Sequence, residues 1–228
     1  MNSLIGDSRV RGLKSGKLAN LISDVWCLPG AKLSGLEDNI RDCVIFHHGE
    51  DEYEGKLNIY IAAGICDLTT RIKSHNYEEV IFDTPNMDST IARVKRVLTD
   101  LNATAINQNA IPIFCTIYPM SLKDWNSKRL KQKKTSSLAH TDEYNSMQKA
   151  LETSIDTINN FIYELNKNNQ RSTPNLNNVL RHNRGKGNHS FKYNMLSDGC
   201  HPKEQLKKTI KDSLVQAIKR NRRLKYGH

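Results

Sequence analysis

Residues 57–63 read Leu-Asn-Ile-Tyr-Ile-Ala-Ala, and this run decides the fold class of the chain. Its branched and aromatic side chains favour an extended backbone, which predicts a β-strand. Because the run is almost continuously apolar, both faces of the strand should be buried, as in parallel sheets that helices cover on both sides. The run therefore predicts the central strand of an α/β domain.

The rest of the chain alternates between shorter apolar runs and segments with helical spacing, which is typical of α/β domains. Four further strands are predicted, at residues 4–5, 24–28, 110–118 and 177–180. Helices are predicted at residues 34–48, 88–101 and 142–166 and from Pro202 onward. Residues 123–134 are predicted to be a basic connector. The result is an α/β domain with five strands.

The net charge of +10 is distributed unevenly over the 228 residues. Residues 1–100 have a net charge of −3, whereas residues 101–228 have a net charge of +13. A strongly basic half is typical of proteins that bind a polyanion. The charge therefore points to a partner for the second half of the chain and says little about chemistry.

Composition and cysteine spacing argue against several classes of protein. No apolar run approaches the ~20 residues of a membrane-spanning helix, and no signal-peptide stretch follows Met1. We therefore expect an intracellular protein, cytoplasmic or nuclear, without a transmembrane segment. The five cysteines form no Cys-x-x-Cys pair, so neither a zinc ribbon nor a thioredoxin motif is supported. We expect reduced thiols, no metal site and no cofactor.

Three short motifs carry groups suited to catalysis. The first, Gly6-Asp7-Ser8, places a serine after the first strand, at the carboxyl end of the sheet where α/β folds place their sites. The second places Asp198 three residues before His201, so that the carboxylate can orient the imidazole as a base. The third, Gly64 to Asp67, follows the central strand and could supply oxyanion donors. Each motif alone fits an ordinary turn or helix-capping segment equally well.

Together and in this order, the motifs resemble those of the SGNH, or GDSL-type, hydrolase family over about residues 3–220. The resemblance implies that Ser8 is the nucleophile, His201 the base and Asp198 the residue that orients the base. It also implies a flavodoxin-like three-layer α/β/α sandwich with a central, mostly parallel five-stranded sheet.

The resemblance further implies an oxyanion hole. Its donors would be the backbone N–H groups of Ser8 and Gly30, together with the Gly64 region. The family asparagine of the Gly-x-Asn-Asp block is Cys66 in this chain, and a thiol is a poor hydrogen-bond donor. Loss of one such donor typically costs about 10²–10³ in turnover, which weakens an enzyme without abolishing it. A neighbouring amide such as Asn194 could replace the missing donor.

The residues of these motifs are similar to those of SGNH esterase-like domains in animal transposable-element open reading frames. A more distant relative is the SGNH-like domain of the germ-plasm protein Oskar, which has lost catalytic residues and binds RNA. That second resemblance implies a rival function, because basic side chains beside aromatic ones can grip phosphate and stack bases. The candidate nucleic-acid-binding residues are Lys128, Arg129, Lys131, Lys133, Lys134, Arg181, Arg184, Lys219, Arg220, Arg222, Arg223 and Lys225.

Two functional hypotheses follow. The first is a serine esterase that hydrolyses an acyl ester, with a small O-acyl group, through Ser8, His201 and Asp198. The second is a weak or inactive SGNH-like domain that binds RNA or single-stranded DNA through its basic half. A solvated basic surface and an anionic membrane surface are the alternatives for that half. We expect a single domain at residues 1–222 with a basic tail at 223–228, within a larger polypeptide.

Overall fold

The computed structural model describes residues 1–49, 56–73, 78–133, 141–181 and 190–226. Its strands are β1 (Asn2–Gly6), β2 (Asp24–Cys27), β3 (Leu57–Ala62), β4 (Thr70–Lys73), β5 (Glu78–Ile81) and β6 (Ala110–Phe114). Its helices are α1 (Glu37–Gly49), α2 (Ile65–Leu68), α3 (Met87–Asn107), α4 (Leu122–Lys133), α5 (Thr141–Asn168), α6 (Asn177–Leu180) and α7 (Glu204–Tyr226). None of the described helices is long and apolar enough to cross a membrane.

The central sheet has four strands within the described residues, in the order β2-β1-β3-β6, and every neighbouring pair is parallel. Side chains alternate between the two faces of β3, as the pleat of a strand requires. Ile59 and Ile61 belong to the core on one face, while Tyr60 and Ala62 belong to the core on the other. The prediction that residues 57–63 form a strand buried on both faces is confirmed.

Helices cover both faces of the sheet. The core on one face contains side chains of α1, α3 and α5, whose apolar residues recur at helical spacing. The core on the other face is closed mainly by α7, through Leu206, Ile210, Leu214 and Ile218. The predicted three-layer α/β/α sandwich is therefore the observed architecture.

The predicted fifth strand is wrong, because residues 177–180 form the short helix α6. Leu176 and Leu180 are both buried, and a spacing of four residues brings two side chains to one side of a helical turn. The side chain of Asn175 also accepts a hydrogen bond of 3.0 Å from the N–H of Asn178, which favours the turn over an extended backbone.

Two other segments also differ from the sequence prediction. Residues 123–134 were predicted to be a connector, but α4 occupies most of them, because Leu122 and Asn126 are buried one helical turn apart. Strands β4 and β5, which pair antiparallel as a separate two-stranded sheet, were not predicted. The last helix begins at Glu204, two residues after the proline that was predicted to start it.

Buried asparagine side chains bind the outer edge of the sheet. Asn166 accepts from the N–H of Phe114 at 2.9 Å and donates to the carbonyl of the same residue at 2.7 Å. Asn159 does the same for Ile117, at 2.7 and 2.8 Å. Both asparagines belong to α5. Each amide thus completes the hydrogen bonds of one backbone residue that has no neighbouring strand on that side in the described part of the chain.

The order of the strands sets the position of the site. The chain passes from β1 to β2 on one side and then to β3 on the other side, so the connections diverge at the carboxyl end of β1. In open α/β sheets such a divergence leaves a crevice in which ligands bind. Ser8 follows β1 directly and stands at this crevice.

Candidate active site

A tight turn after β1 presents Ser8. A Cβ atom at Gly6 would lie 2.5 Å from the carbonyl oxygen of Ala62 and 2.6 Å from Val10, so only glycine fits there. The turn continues into a single 3-10 turn, Ser8–Val10, in which the backbone N–H of Arg9 donates to the side chain of Asp7 at 2.9 Å. Ser8 is consequently held by backbone packing and by a capping carboxylate.

A second tight loop presents Asp198 and His201. One oxygen of Asp198 accepts from the backbone N–H groups of Cys200 and His201, at 3.0 and 2.8 Å. The N–H of Ser197 donates to the carbonyl of His201 at 2.7 Å and closes the loop from the other side. One carboxylate therefore both holds the loop and contacts the imidazole.

Ser8, His201 and Asp198 are joined by hydrogen bonds across 193 residues of sequence. The Oγ atom of Ser8 lies 2.8 Å from Nε2 of His201, and Nδ1 of His201 lies 2.6 Å from Oδ2 of Asp198. Since an ionised carboxylate only accepts, the proton on that side belongs to Nδ1. Nε2 of the neutral imidazole is then free to accept the hydroxyl proton of Ser8.

The carboxyl group of Asp198 is held in its charged form. Partial burial opposes ionisation, but hydrogen bonds from the side chain and backbone of His201 and from the backbone of Cys200 outweigh it. The pKa of Asp198 is lowered to about 2 as a result. Asp198 can therefore fix the orientation of the imidazole at any pH at which a folded protein is ordinarily studied.

The backbone donors expected for an oxyanion hole lie around the same cleft. Ser8, Gly30 and Cys66 all line it, whereas Gly64 does not. Gly30 has φ of +74° in the turn closed by the hydrogen bond from Ala31 to Leu28, a conformation that favours glycine. No described residue accepts from the backbone N–H of Ser8 or of Gly30. Both groups are available to a developing negative charge.

Gly64 has a structural role at this edge of the sheet. Its φ of +127° is outside the range that other residues adopt, and a Cβ atom would lie 2.4 Å from Cδ1 of Ile117. It precedes α2 and so brings Cys66 into the cleft. Asn194 is exposed and does not line the cleft, so its amide does not stand in for the missing family asparagine.

The two thiols near Ser8 are poor nucleophiles. Burial raises the pKa of the Cys66 thiol, and the nearby charge of Asp7 raises it further. Burial also raises the pKa of the Cys200 thiol, to about 12. A protonated thiol is a poor nucleophile towards an ester and a poor ligand for a metal ion. Ser8, in contrast, has a base in hydrogen-bonding contact, the imidazole of His201.

A buried ion pair supports the turn below Ser8, and the sequence analysis missed it. Arg9 stands where the family motif has leucine, and its guanidinium lies 3.0 Å from the carboxylate of Asp7. The guanidinium also donates to the carbonyl of Tyr118 at 2.9 Å and lies 4.4 Å from the centroid of the Tyr118 ring. The signal for this pair in the sequence was an arginine two residues after an aspartate, since a charge that is buried in the core needs a partner.

A cleft of about 820 Å³ opens in front of Ser8 and His201. Sequence reasoning missed several side chains that line it, which come from loops and from β4, β5 and α4. They are Arg11, Lys32, Arg71, Val80, Met120 and Trp125. The Trp125 and His201 rings are 5.8 Å apart between centroids, so the indole packs beside the imidazole. No spacing rule connects these residues, because tertiary packing alone brings them together.

The structure describes the side chains of six of the twelve predicted nucleic-acid-binding residues. Lys128 donates to the carbonyl of Ser197, and Arg181 forms an ion pair with Asp156, so both have partners within the fold. Lys134 and Arg184 lie outside the described residues. Four others occupy helices where the structure describes the backbone alone: Arg129, Lys131, Lys133 and Lys225. Four are exposed on α7: Lys219, Arg220, Arg222 and Arg223.

Comparison by sequence finds no match for the chain, whereas comparison by structure finds similar proteins. No family model matches the chain, and no curated protein sequence matches it. A GDSL-like lipase from Bacteroides thetaiotaomicron is similar in structure, with a TM-score of 0.60 and 12% identity over 96% of this chain and 87% of that one. A member of the lipolytic G-D-S-L family from Veillonella parvula has a TM-score of 0.56 and 11% identity, over 96% and 98%.

An acetylxylan esterase from Geobacillus stearothermophilus, solved as a catalytic mutant, is also similar. Its TM-score is 0.55 and its identity 10%, over 95% of this chain and 93% of that one. At identities this low, the similarity in structure establishes the fold alone and leaves the activity open. The chain therefore has the α/β fold of the GDSL-type, or SGNH, hydrolases.

Proposed function

We propose that this protein is a serine esterase that hydrolyses an acyl ester. The observation that carries the proposal is the pair of hydrogen bonds joining Ser8 to His201 at 2.8 Å and His201 to Asp198 at 2.6 Å. A serine hydroxyl becomes a useful nucleophile only when a base stands within hydrogen-bonding reach and is itself oriented. The similar folds of lipases and acetylxylan esterases support the choice of an ester.

The reaction would run in two halves. In the first, Oγ of Ser8 attacks the acyl carbon while its proton passes to Nε2 of His201. The bond to the alcohol oxygen then breaks, and that oxygen takes the proton from His201. In the second, His201 takes a proton from water, whose oxygen attacks the acyl-Ser8 carbon. The bond to Oγ of Ser8 breaks, Oγ regains the proton, and the free acid leaves.

Backbone donors would stabilise the oxyanion formed in each half. The N–H groups of Ser8 and Gly30 are the two candidates, since neither has an acceptor among the described residues. Two preorganised donors support substantial catalysis, and a third side-chain donor at the position of Cys66 would add about 10²–10³ in turnover. We therefore expect a slow esterase.

Hydrolysis of p-nitrophenyl acetate tests the proposal. The wild-type protein should exceed both Ser8→Ala and His201→Ala by about 10³-fold in kcat. Ser89→Ala is the matched control, because Ser89 is exposed on α3 and lies outside the cleft. A fluorophosphonate probe should label wild type and the control and spare Ser8→Ala. Equal rates for wild type and Ser8→Ala, without labelling, would refute the esterase.

A second candidate function is the binding of single-stranded RNA or DNA at the end of α7. The observation in its favour is that Lys219, Arg220, Arg222 and Arg223 are exposed and form no ion pair with a described acid. No residue of α7 lines the cleft, so this binding could coexist with ester hydrolysis. Affinity that depends on phosphate contacts falls steeply with salt.

Filter binding of a single-stranded RNA at several salt concentrations tests this second function. Replacement of the four residues by glutamine should weaken binding and flatten the salt dependence by a slope of about 0.7 for each lost phosphate contact. Arg96→Gln combined with Lys149→Gln is the control, since both belong to the helical layer on the opposite face of the sheet. Salt-independent binding, or no effect of the four substitutions, would rule the function out.

A further inference from the structure

The cleft in front of Ser8 is unbalanced in charge. Three cationic side chains line it, those of Arg11, Lys32 and Arg71. No aspartate or glutamate lines it among the described residues. Two buried carboxylates lie close in sequence to lining residues: Asp7 forms an ion pair with Arg9, and Asp67 lies 3.9 Å from the guanidinium of Arg93. Among the described residues, the lining therefore contains three cationic side chains and no carboxylate.

Two of these cations lie close in sequence to the proposed nucleophile and to a proposed oxyanion donor. The backbone N–H of Arg11 donates to the carbonyl of Ser8 at 3.3 Å, and Lys32 follows Gly30 by two residues. Both side chains are exposed, and neither forms an ion pair with a described acid. Holding unpaired like charges at a cleft raises its local potential, which attracts an anion and repels a cation.

Four apolar side chains also line the cleft. They are Ile65, Val80, Met120 and Trp125, from α2, β5, the loop after β6 and α4. An apolar wall beside a cationic rim suits a molecule with both a hydrocarbon or aromatic part and a negative charge. A neutral sugar would meet few matching groups, because the polar lining apart from Ser8 and His201 is dominated by the three cations and two threonines.

We propose that the cleft selects esters that carry an anionic group, a phosphate or a carboxylate, close to the scissile bond. This selectivity rests on the proposed esterase function. Arg11 and Lys32 bind the anion, and the apolar wall receives the uncharged part of the substrate. Hydrolysis itself consumes water and releases an acid and an alcohol, one of which retains the anionic group.

Three acetyl esters with similar leaving groups test the selectivity. They are 4-acetoxybenzoate, its neutral methyl ester and 4-acetoxyphenyl phosphate. Each kcat/KM is divided by the rate of alkaline hydrolysis of the same compound, which removes differences in intrinsic reactivity. We expect the wild-type protein to favour the two anionic esters over the neutral one by about tenfold. The ratio of the two anionic esters tells whether phosphate or carboxylate is preferred.

Charge-neutralising variants assign the preference to residues. Arg11→Gln and Lys32→Gln should each lower the anionic-to-neutral ratio by roughly threefold, and 0.5 M salt should lower it in the wild type. Lys17→Gln is the control, since Lys17 is exposed and lies outside the cleft. Hydrolysis of the neutral ester without any anionic preference overturns the selectivity and leaves the esterase standing. Turnover of none of the three above the Ser8→Ala rate overturns both.

Discussion

The carbonyl of Gly199 accepts a hydrogen bond of 2.7 Å from the backbone N–H of Ser121. This bond ties the loop that carries Asp198 and His201 to the start of α4. The same helix supplies Trp125, whose ring packs beside the imidazole of His201. The position of the candidate base is therefore set by a helix that begins about eighty residues earlier in the chain.

Gly199→Ala should displace His201 and lower activity. The φ of Gly199 is +85°, and a Cβ atom would lie 2.7 Å from the carbonyl oxygen of Ser121 and from the backbone nitrogen of Trp125. Because both neighbours are backbone atoms, the loop itself must move. We expect kcat/KM for p-nitrophenyl acetate to fall about 10²-fold, as misplacement by about 1 Å typically does.

Gly12→Ala provides a matched control for this substitution. Gly12 has a similar φ of +74°, but a Cβ atom there would meet nothing within 4 Å. Both substitutions should cost about 1 kcal/mol in the free energy of unfolding from backbone strain. Only Gly199→Ala should also lose activity. Equal kcat/KM for the two variants would contradict the role assigned to the contact with Ser121.

Cys66→Asn should raise the turnover number. Cys66 lines the cleft at the position where the family motif has an asparagine, and a thiol donates weakly. An amide at this position should increase kcat by about 10–10² if it reaches the oxyanion. Cys66→Ala serves as the comparison and should change kcat less than threefold. A kcat for Cys66→Asn at or below that of Cys66→Ala would show that this position does not face the oxyanion.

Asp198→Asn should remove a pH-dependent part of the stability. The pKa of Asp198 is about 2 in the folded protein against an ordinary value of 3.8, so the unfolded chain binds its proton more tightly. The stabilisation is complete above the unfolded value and is lost as the pH falls through about 2. Urea unfolding should show a constant difference between wild type and Asp198→Asn above about pH 5, shrinking towards pH 2. A difference that does not change over this range would contradict the ionised state of Asp198.

His47→Ala should destabilise the fold without changing catalysis. His47 is buried, and its Nε2 lies 2.8 Å from Oγ of Ser3 and 2.9 Å from a carboxylate oxygen of Asp24. These residues form another serine, histidine and aspartate cluster, but His47 does not line the cleft. We expect a loss of about 2–4 kcal/mol in the free energy of unfolding from the cavity and the stranded polar groups.

His48→Ala is the control for this substitution, because the neighbouring His48 is exposed. Its free energy of unfolding should change by less than about 0.5 kcal/mol. At a temperature where all variants are folded, kcat/KM should be the same for the three proteins. A large loss of activity in folded His47→Ala would mean that the second cluster takes part in catalysis.

Strongly periodic segments were predictable from sequence, whereas short ones were not. The apolar stripe of α5, through Leu151, Ile155 and Ile158, is buried as its spacing predicts. A long amphipathic helix removes its apolar face from water by packing that face against the core. Residues 177–180 are too short for periodicity to separate strand from helix, and the burial of Leu176 and Leu180 decides it.

The candidate site was predictable only in part, for a related reason. Ser8, Asp198 and His201 stand in motifs whose local turns are readable in sequence, and the resemblance to SGNH hydrolases brought them together. The partners of Arg9 and the cationic lining of the cleft are tertiary contacts between segments without any common motif. Their residue types were visible in the sequence, but nothing local indicated that they meet.

The two asparagine side chains of α5 that bind the edge of the sheet also affect how this protein meets other copies of itself. An exposed strand edge is a template on which another chain can pair, and so a route to aggregation. Asn166 and Asn159 already occupy the outward N–H and carbonyl groups of Phe114 and Ile117. A foreign strand would have to displace two buried amides before it gained a hydrogen bond there. Helix α5 thus protects this side of the sheet against fibril growth with two side chains.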